Sequence, residues 1–205
     1  MRLIGMLDSP YVRRVAISFE VMGLEFTHES LSVFRDISAF RAVNPVIKAP
    51  TLVTTDGVTI MDSTLILQHA DCLVPATRRL SPSEPATNAV CLRLVGLALA
   101  LADKSIQIVY EHQLRPAEKI HAPWLERVKA QMCAAILELD AAAASAGTGW
   151  LCATSGPSAA DIAVAVAATF VDLMKKVVTP PPARALARFT SRAEALAPFR
   201  AWPSA

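Results

Sequence analysis

The sequence predicts two domains, an α/β domain followed by an all-α helical domain. Three observations lead to this prediction. Short apolar segments alternate with helical patterns over residues 1–74, in the order expected for an α/β domain. Residues 75–86 are rich in proline and serine, which is typical of a linker. From residue 87 to residue 205 the apolar periodicity is helical, and a chain of 205 residues is long enough to give both domains a core.

The first domain is predicted to begin with a strand, a helix and a second strand. Residues 3–7 are mostly apolar and have the length of a short strand. The helical pattern over residues 10–22 starts with a proline, which suits the first turn of a helix, and stops at Gly23, a common residue after a helix end. Residues 25–31 alternate in the manner of a half-buried strand, and a short irregular helix is expected within residues 34–42.

A hairpin and a helix complete the predicted α/β domain. Residues 52–61 read LVTTDGVTIM, which indicates two strands joined by Asp56 and Gly57 as a two-residue turn. Asp62 and Ser63 then precede a helical pattern. The predicted order is therefore βαβ, an intervening helix, and ββα.

Four helical segments are expected in the second domain. Turn signals rich in glycine and proline divide them, and they cover residues 84–114, 122–146, 159–178 and 183–196. Ser81 and Glu84 have the spacing of a capping box, and so do Ser158 and Asp161. The third segment is apolar on nearly all sides, so we expect it to be the buried centre of the helical domain.

Composition and charge limit the classes of partner. Hydrophobic residues make up 53% of the chain and the formal net charge is +2, which argues against disorder and gives no electrostatic reason to expect nucleic acid. Asp8 interrupts the N-terminal apolar run too early for a signal peptide. The apolar run between Asp161 and Asp172 is far shorter than the roughly 20 residues of a membrane helix. We therefore expect a cytoplasmic protein with no nucleic-acid or membrane partner.

The cysteines and histidines form no pattern typical of a metal site. The four cysteines include no C-x-x-C pair, and the four histidines are scattered along the chain. We therefore expect reduced thiols and no metal.

The turn between the first strand and the first helix has two interpretations. Ser9 stands before Pro10 at the predicted helix start, and Arg13 and Arg14 follow one turn later. The Ser9 hydroxyl can serve as an N-cap and do no more. Alternatively, with the positive helix end and the arginines, it can hold an anion or a thiolate.

Four stretches taken in order resemble the glutathione S-transferase family. They are SPYVRR at residues 9–14, NPVIKAPTL at 44–52, MDSTLI at 61–66 and SAADIA at 158–163. The resemblance covers essentially the whole chain and is strongest to bacterial members with a Ser-Pro turn. It implies a thioredoxin-like first domain that binds glutathione as co-substrate, and a helical second domain.

The resemblance implies a glutathione site built from the first domain. Pro50 would be the family's cis-proline, beside which the Ala49 backbone pairs with the extended peptide. Asp62 would bind the ammonium of the γ-glutamyl end and Ser63 its carboxylate, at a helix N-terminus. Lys48 would reach the glycyl carboxylate.

Ser9 would be the catalytic residue on this resemblance. A free thiol has a pKa of about 8.5, so a hydroxyl donor near the sulfur would favour the thiolate, with added positive potential from Arg13 or Arg14. On the same resemblance, Tyr11 would also bind glutathione, beside the expected sulfur position. Tyr11, Tyr110 and Arg115 are candidates to line an electrophile pocket between the domains, although surface or core positions are the alternative for each.

Ile47 departs from the family pattern, which usually has glycine there. A β-branched residue disfavours positive φ, so the loop is expected either to differ or to be extended at this position, with consequences for Lys48.

The expected activity is a glutathione transferase that conjugates the glutathione thiolate to a small hydrophobic electrophile or reduces a peroxide. Serine at position 9 cannot form a mixed disulfide, which makes disulfide chemistry less favoured. We also expect a homodimer. Two alternatives stay open: a non-catalytic binding or regulatory protein of this fold, and a glutathione-dependent isomerase or dehalogenase.

Overall fold

The structure, a computed structural model that describes residues 1–204, divides into two compact units. Unit 1 comprises Met1–Leu80 together with the segment that starts at Leu196, and unit 2 comprises Ser81–Ala195. The domain limits 1–74, 75–86 and 87–205 stay a prediction. The segment after residue 195 groups with unit 1, whereas the sequence-based limits assigned it to the helical domain.

A four-stranded mixed sheet forms the centre of unit 1. Strand β1 (Arg2–Ile4) pairs in parallel with β2 (Thr27–Glu29) and antiparallel with β3 (Thr51–Val53), which pairs antiparallel with β4 (Thr59–Met61). The order across the sheet is β2-β1-β3-β4. This arrangement confirms the predicted thioredoxin-like α/β fold.

Three helices accompany the sheet. They are α1 (Pro10–Met22), α2 (Ile37–Val43) and α3 (Ser63–Leu73), and α1 packs against α3. Helix α1 has the predicted bounds and ends at Gly23, whose φ of 69° lies in the left-handed region. The core of unit 1 consists of fully buried apolar side chains, among them Leu3, Ile4, Val12, Phe19, Phe40, Leu52 and Ile66.

Strand β1 is shorter than the predicted segment 3–7, because Gly5 leaves the extended conformation with φ 136°. Its amide still donates to the Glu29 carbonyl at 3.0 Å, and its carbonyl accepts from the His28 ring at 2.7 Å. The chain therefore turns out of the sheet immediately after Ile4 and reaches the start of α1 in five residues.

The hairpin turn is longer than predicted. The Gly57 amide donates to the Thr54 carbonyl at 3.1 Å, and the Thr54 amide donates to the Val58 carbonyl at 2.9 Å. Thr55 and Asp56 are therefore the central residues of the turn, and Gly57 follows with φ 81°. A glycine in this conformation after a type I turn is the usual three-residue hairpin loop.

Unit 2 is helical, as predicted. It contains α4 (Pro85–Gln113), α5 (Ala122–Ala146), α6 (Ala159–Leu173), α7 (Lys175–Val178) and α8 (Arg184–Glu194). Helix α6 packs against α4, α7 and α8 and is buried on nearly all sides, which confirms the expected central helix. No helix among residues 1–204 is long and apolar enough to cross a bilayer.

Two capping boxes were predicted for unit 2, and one is present. The Asp161 carboxylate accepts from the amide and hydroxyl of Ser158 and from the Leu151 amide, all at 2.8 Å or less. At α4 the carboxylate of Glu84 instead accepts from the amides of residues 86 and 87. The helix therefore starts at Pro85 and not next to Ser81.

A final helix, α9 (Ala197–Ala201), belongs to unit 1 and packs against α1. Arg13 explains this contact. Its Nε donates to the Trp202 carbonyl at 2.8 Å and its Nη2 to the Phe199 carbonyl at 3.4 Å. Arg13 is buried and holds the segment around α9, and its expected contribution to the potential near Ser9 stays a prediction.

Candidate functional site

Ser9 lies at the N-cap position of α1 but does not cap it with its side chain. Its backbone is extended (φ −73°, ψ 121°), its carbonyl accepts from the Arg13 amide at 3.0 Å, and its amide donates to Met6 at 3.2 Å. Within residues 1–204 the hydroxyl forms no hydrogen bond to the first turn of the helix. The half-buried hydroxyl is thus available for another partner, so a plain capping role does not account for it.

The loop before β3 contains the cis peptide bond that the resemblance implied, between Ala49 and Pro50. Asn44, which is buried, holds the loop from inside. Its side-chain nitrogen donates to the Thr51 hydroxyl at 2.9 Å, and its side-chain oxygen Oδ1 accepts from the Val46 amide at 3.0 Å. The Thr51 hydroxyl donates in turn to the Lys48 carbonyl at 2.7 Å.

Sequence reasoning quoted Asn44 within a motif but gave it no role. The available signal was an amide side chain directly before a proline, which favours a turn.

Ile47 keeps the left-handed backbone that a glycine would favour. Its φ is 52°, and its amide donates to the Asn44 carbonyl at 2.9 Å in a tight turn. The expectation of an extended residue at this position is therefore wrong. Positive φ is unfavourable for a β-branched residue, and the surrounding hydrogen bonds of Asn44 hold it in place.

Asp62 and Lys48 lie next to each other at the start of α3. The Asp62 carboxylate accepts from the Thr64 amide at 2.9 Å and lies 3.6 Å from the Lys48 ammonium. Asp62 is the N-cap of α3 and has φ 77°. Both charged groups are about half exposed, so this ion pair contributes little to stability and both side chains can move towards a ligand.

Ser63, the first residue of α3, is buried against Arg14. The Arg14 Nη1 donates to the Ser63 hydroxyl oxygen at 3.1 Å and to the Thr64 hydroxyl oxygen at 3.4 Å. The sequence predicts that Arg13 or Arg14 adds positive potential near Ser9, and for Arg14 this stays a prediction. The side chain is only 4% exposed, and its guanidinium lies under the N-terminus of α3.

Burial lowers the pKa of Arg14 to about 10, against the opposing influence of Asp62 and Tyr11. Its Nε atom is buried and has no hydrogen-bond partner among residues 1–204. The guanidinium therefore adds positive charge to a helix N-terminus that is already positive. Together with the serine hydroxyl, this arrangement favours an anion.

Tyr110 and Arg115, the other candidates for an electrophile pocket, belong to unit 2. Tyr110 is exposed near the end of α4. Arg115 forms an ion pair at 2.8 Å with Glu111, a buried carboxylate that also accepts from the His121 amide at 3.4 Å. Arg115 thus braces the end of α4. A role for Tyr11, Tyr110 and Arg115 in binding an electrophile stays a prediction.

Known proteins share this fold. Residues 3–78 match the family model for the N-terminal domain of glutathione S-transferases. Over its whole length the chain superposes on a glutathione S-transferase from Methylobacterium radiotolerans, solved in complex with glutathione sulfonate, with 25% identity, a TM-score of 0.82 and 95% of that chain covered. The chain therefore has the fold of glutathione S-transferases, and its first unit is similar to their N-terminal domain.

Other relatives extend this result. A glutathione transferase family member from Pseudomonas fluorescens Pf-5, solved with bound glutathione, is 25% identical with a TM-score of 0.81, over all of this chain and 98% of the other. The uncharacterized GST-like protein YibF of Escherichia coli is 29% identical over 117 residues. That match spans 57% of this chain and 57% of YibF.

The histidines, cysteines, aspartates and glutamates among residues 1–204 include no group of three or more placed to hold a metal ion. Around the start of α3 the candidate site offers hydroxyls, backbone amides, the Asp62 carboxylate and the cations of Lys48 and Arg14.

Proposed function

We propose that this protein binds glutathione in unit 1 and promotes attack by its thiolate on a small hydrophobic electrophile or a peroxide. The observation that carries the proposal is the start of α3, where Asp62 and Ser63 lie over the buried cation of Arg14. Two relatives of the same fold were solved with glutathione or its sulfonate bound, which supports a ligand of this kind.

The proposed ligand matches the groups around it. The γ-glutamyl end of glutathione carries an ammonium, suited to Asp62, and a carboxylate, suited to the Ser63 hydroxyl and the free amides of the helix start. The Ala49 backbone beside the cis bond can pair with the extended peptide. Lys48 would leave Asp62 and bind the glycyl carboxylate.

The proposed chemistry rests on Ser9. A thiol with a pKa of about 8.5 is mostly neutral at pH 7, and the thiolate is the nucleophile. The Ser9 hydroxyl, which caps nothing, would donate to the sulfur and stabilise the thiolate. Ser9 removes no proton in this scheme; it lowers the pKa of the bound thiol electrostatically.

The electrophile contacts, the cellular location and the oligomeric state belong to the same proposal. Tyr11, Tyr110 and Arg115 would contact the electrophile, and the protein would act in the cytoplasm as a homodimer. Apolar side chains left exposed in both units support self-association; they include Met61, Leu65, Leu73, Val90 and Leu92.

Titration calorimetry with glutathione tests the binding step. We expect saturable binding, and a loss of about tenfold or more in affinity for Asp62→Ala, since hydrogen bonds to charged groups contribute about 1.5–3 kcal/mol. Asp56→Ala, in the hairpin turn, is the matched control and should bind like the parent. Absence of saturable binding at millimolar glutathione would contradict the proposal. Binding without any turnover of generic electrophiles or peroxides would favour the non-catalytic alternative.

A further inference from the structure

The bond between Arg14 and Ser63 restricts how the serine hydroxyl is oriented. A guanidinium has only donors, so the Ser63 oxygen must be the acceptor in the 3.1 Å contact. The hydroxyl hydrogen is then directed elsewhere. Within residues 1–204 this hydrogen has no protein acceptor, and Ser63 is the first residue of α3, where the free amides of a helix also point outwards.

Arg14 itself is partnered almost entirely by neutral groups. Its hydrogen-bond acceptors are the hydroxyl oxygens of Ser63 and Thr64, and its Nε has none within residues 1–204. A buried charge without a bonded counter-ion is costly, which makes this an unusual choice for a purely structural residue. The exposed carboxylate of Asp62 acts on it electrostatically but is bonded to Thr64 and paired with Lys48.

We propose that Arg14 is a positioning residue: by occupying one lone pair of the Ser63 oxygen it orients the hydroxyl to donate towards the ligand, so that the site selects ligands with a carboxylate beside an ammonium, as in γ-glutamyl peptides. This inference rests on the proposed function, because it concerns the same end of α3. Without Arg14, nothing holds the hydroxyl in this orientation and both lone pairs of its oxygen are open to neighbouring amides, so its preference for an anion falls.

The test compares two ligands that differ by one carboxylate. They are S-methylglutathione and its analogue γ-aminobutyryl-S-methylcysteinylglycine, which lacks the γ-glutamyl α-carboxylate; the methyl group removes any contribution from the thiolate. Calorimetry gives the dissociation constant of each ligand. The ratio is the dissociation constant of the analogue divided by that of S-methylglutathione, and a higher ratio means stronger selection for the carboxylate. We expect Arg14→Met to weaken S-methylglutathione by about 10- to 100-fold, the scale of a charge-assisted hydrogen bond, and to leave the analogue within about twofold.

A second pair of variants asks whether Arg14 acts through Ser63. Ser63→Ala is expected to lower the ratio as far as Arg14→Met does. In the Ser63→Ala background, adding Arg14→Met is expected to change the ratio by less than about threefold, because coupled residues are not additive. Full additivity of the two changes would overturn the inference.

Controls separate selection from folding. Arg13→Met removes the neighbouring buried arginine, which contacts the carbonyls near α9, and should leave the ratio unchanged even if stability falls. Arg14→Lys keeps the buried charge and is expected to lower the ratio less than Arg14→Met; it also serves if Arg14→Met does not fold. The inference is overturned if the ratio is unchanged in a folded Arg14 variant, or if both ligands lose the same affinity. Either outcome leaves the proposed function standing. A parent that binds neither ligand overturns the proposed function together with the inference.

Discussion

Gly5 lies where three parts of unit 1 come into close contact. A Cβ atom there would lie 2.6 Å from a methyl group of Val12 and 3.0 Å from the Ala49 Cβ, and φ is 136°. We predict that Gly5→Ala lowers the free energy of unfolding by about 2–4 kcal/mol through backbone strain and overpacking. Urea unfolding measures it.

Gly57→Ala is the matched control for Gly5→Ala. Gly57 also has positive φ, but a Cβ there meets no atom within 4 Å. Its cost should therefore be the backbone term alone, about 1 kcal/mol. Equal losses for both variants would contradict the predicted clash at Gly5.

Ser9→Ala tests the proposed role of the hydroxyl. We predict a fold close to the parent, because the side chain makes no capping bond to α1, and a rate with a generic electrophile that falls by roughly tenfold or more. The thiolate absorbance of bound glutathione should fall at fixed pH as its pKa rises. Unchanged absorbance and rate would remove Ser9 from the chemistry, with Tyr11 or backbone amides as the next candidates.

Cys91 gives a pH dependence with a definite sign. Burial and the neighbouring Cys152 raise the pKa of this thiol from its ordinary 9.0 to about 11. Its stabilising contribution is therefore complete below pH 9 and is lost as pH rises to 11. We predict that Cys91→Ala loses less stability than the parent between pH 8 and pH 11, measured by urea unfolding at each pH.

Cys72→Ala, at an exposed thiol, should follow the parent over the same range. The lowered pKa of Arg14, about 10, makes stability rise with pH, which is opposite to the effect of Cys91. Because Arg14 is present in the parent and in both variants, this contribution cancels in the comparison. Parallel pH curves for the parent and Cys91→Ala would contradict the prediction.

The residues of the candidate site differ in how well the sequence predicts their roles. Asp62 and Ser63 are predictable because a polar pair before an apolar helical run marks a helix start. Arg14 and Ser63 are 49 positions apart, and no local pattern reports which buried groups meet across a core. The same holds for Arg13, whose acceptors lie 186 and 189 positions away.

Helix α9 is one element that the sequence does not predict. A helix of five residues is too short to display a period, and one proline lies within it and another follows it. The long helices α1, α5 and α6 begin where predicted because capping residues and prolines mark their starts. The ends of the strands were harder to predict. The backbone conformation of Gly5 ends β1, and the longer turn at Gly57 sets the ends of β3 and β4.

Trp202 attaches the segment after α9 to unit 1. Its ring stacks on Phe26 with centroids 4.9 Å apart, and its indole N–H donates to Glu20 at 3.2 Å. We predict that Trp202→Ala lowers the free energy of unfolding by about 2 kcal/mol through lost apolar contact and stacking. Thermal or urea unfolding of the full chain measures it.

Trp124→Ala is the matched control, because Trp124 is 47% exposed at the start of α5. Its cost should stay near 0.5 kcal/mol or below, as is usual for surface positions. A Trp202→Ala protein as stable as the Trp124→Ala protein would show that the stacking is dispensable.

Self-association is the prediction at the scale of the whole molecule. Static light scattering at micromolar concentration should give about twice the chain mass of 21.9 kDa. Leu65→Glu, at an exposed position of α3, should shift the mass towards that of one chain, whereas Val58→Glu in the hairpin loop should not. A parent mass near 21.9 kDa would contradict the homodimer.

The return of α9 to unit 1 sets an order on biosynthesis. Ribosomes make the chain from its N-terminus, so the sheet and α1 emerge first, and the residues that Arg13 holds emerge only after all of unit 2. Until then the Arg13 guanidinium lacks the Phe199 and Trp202 carbonyls, and one face of α1 lacks its cover. A nascent chain stalled after residue 80 should therefore be more easily digested by protease than the same segment in the finished protein.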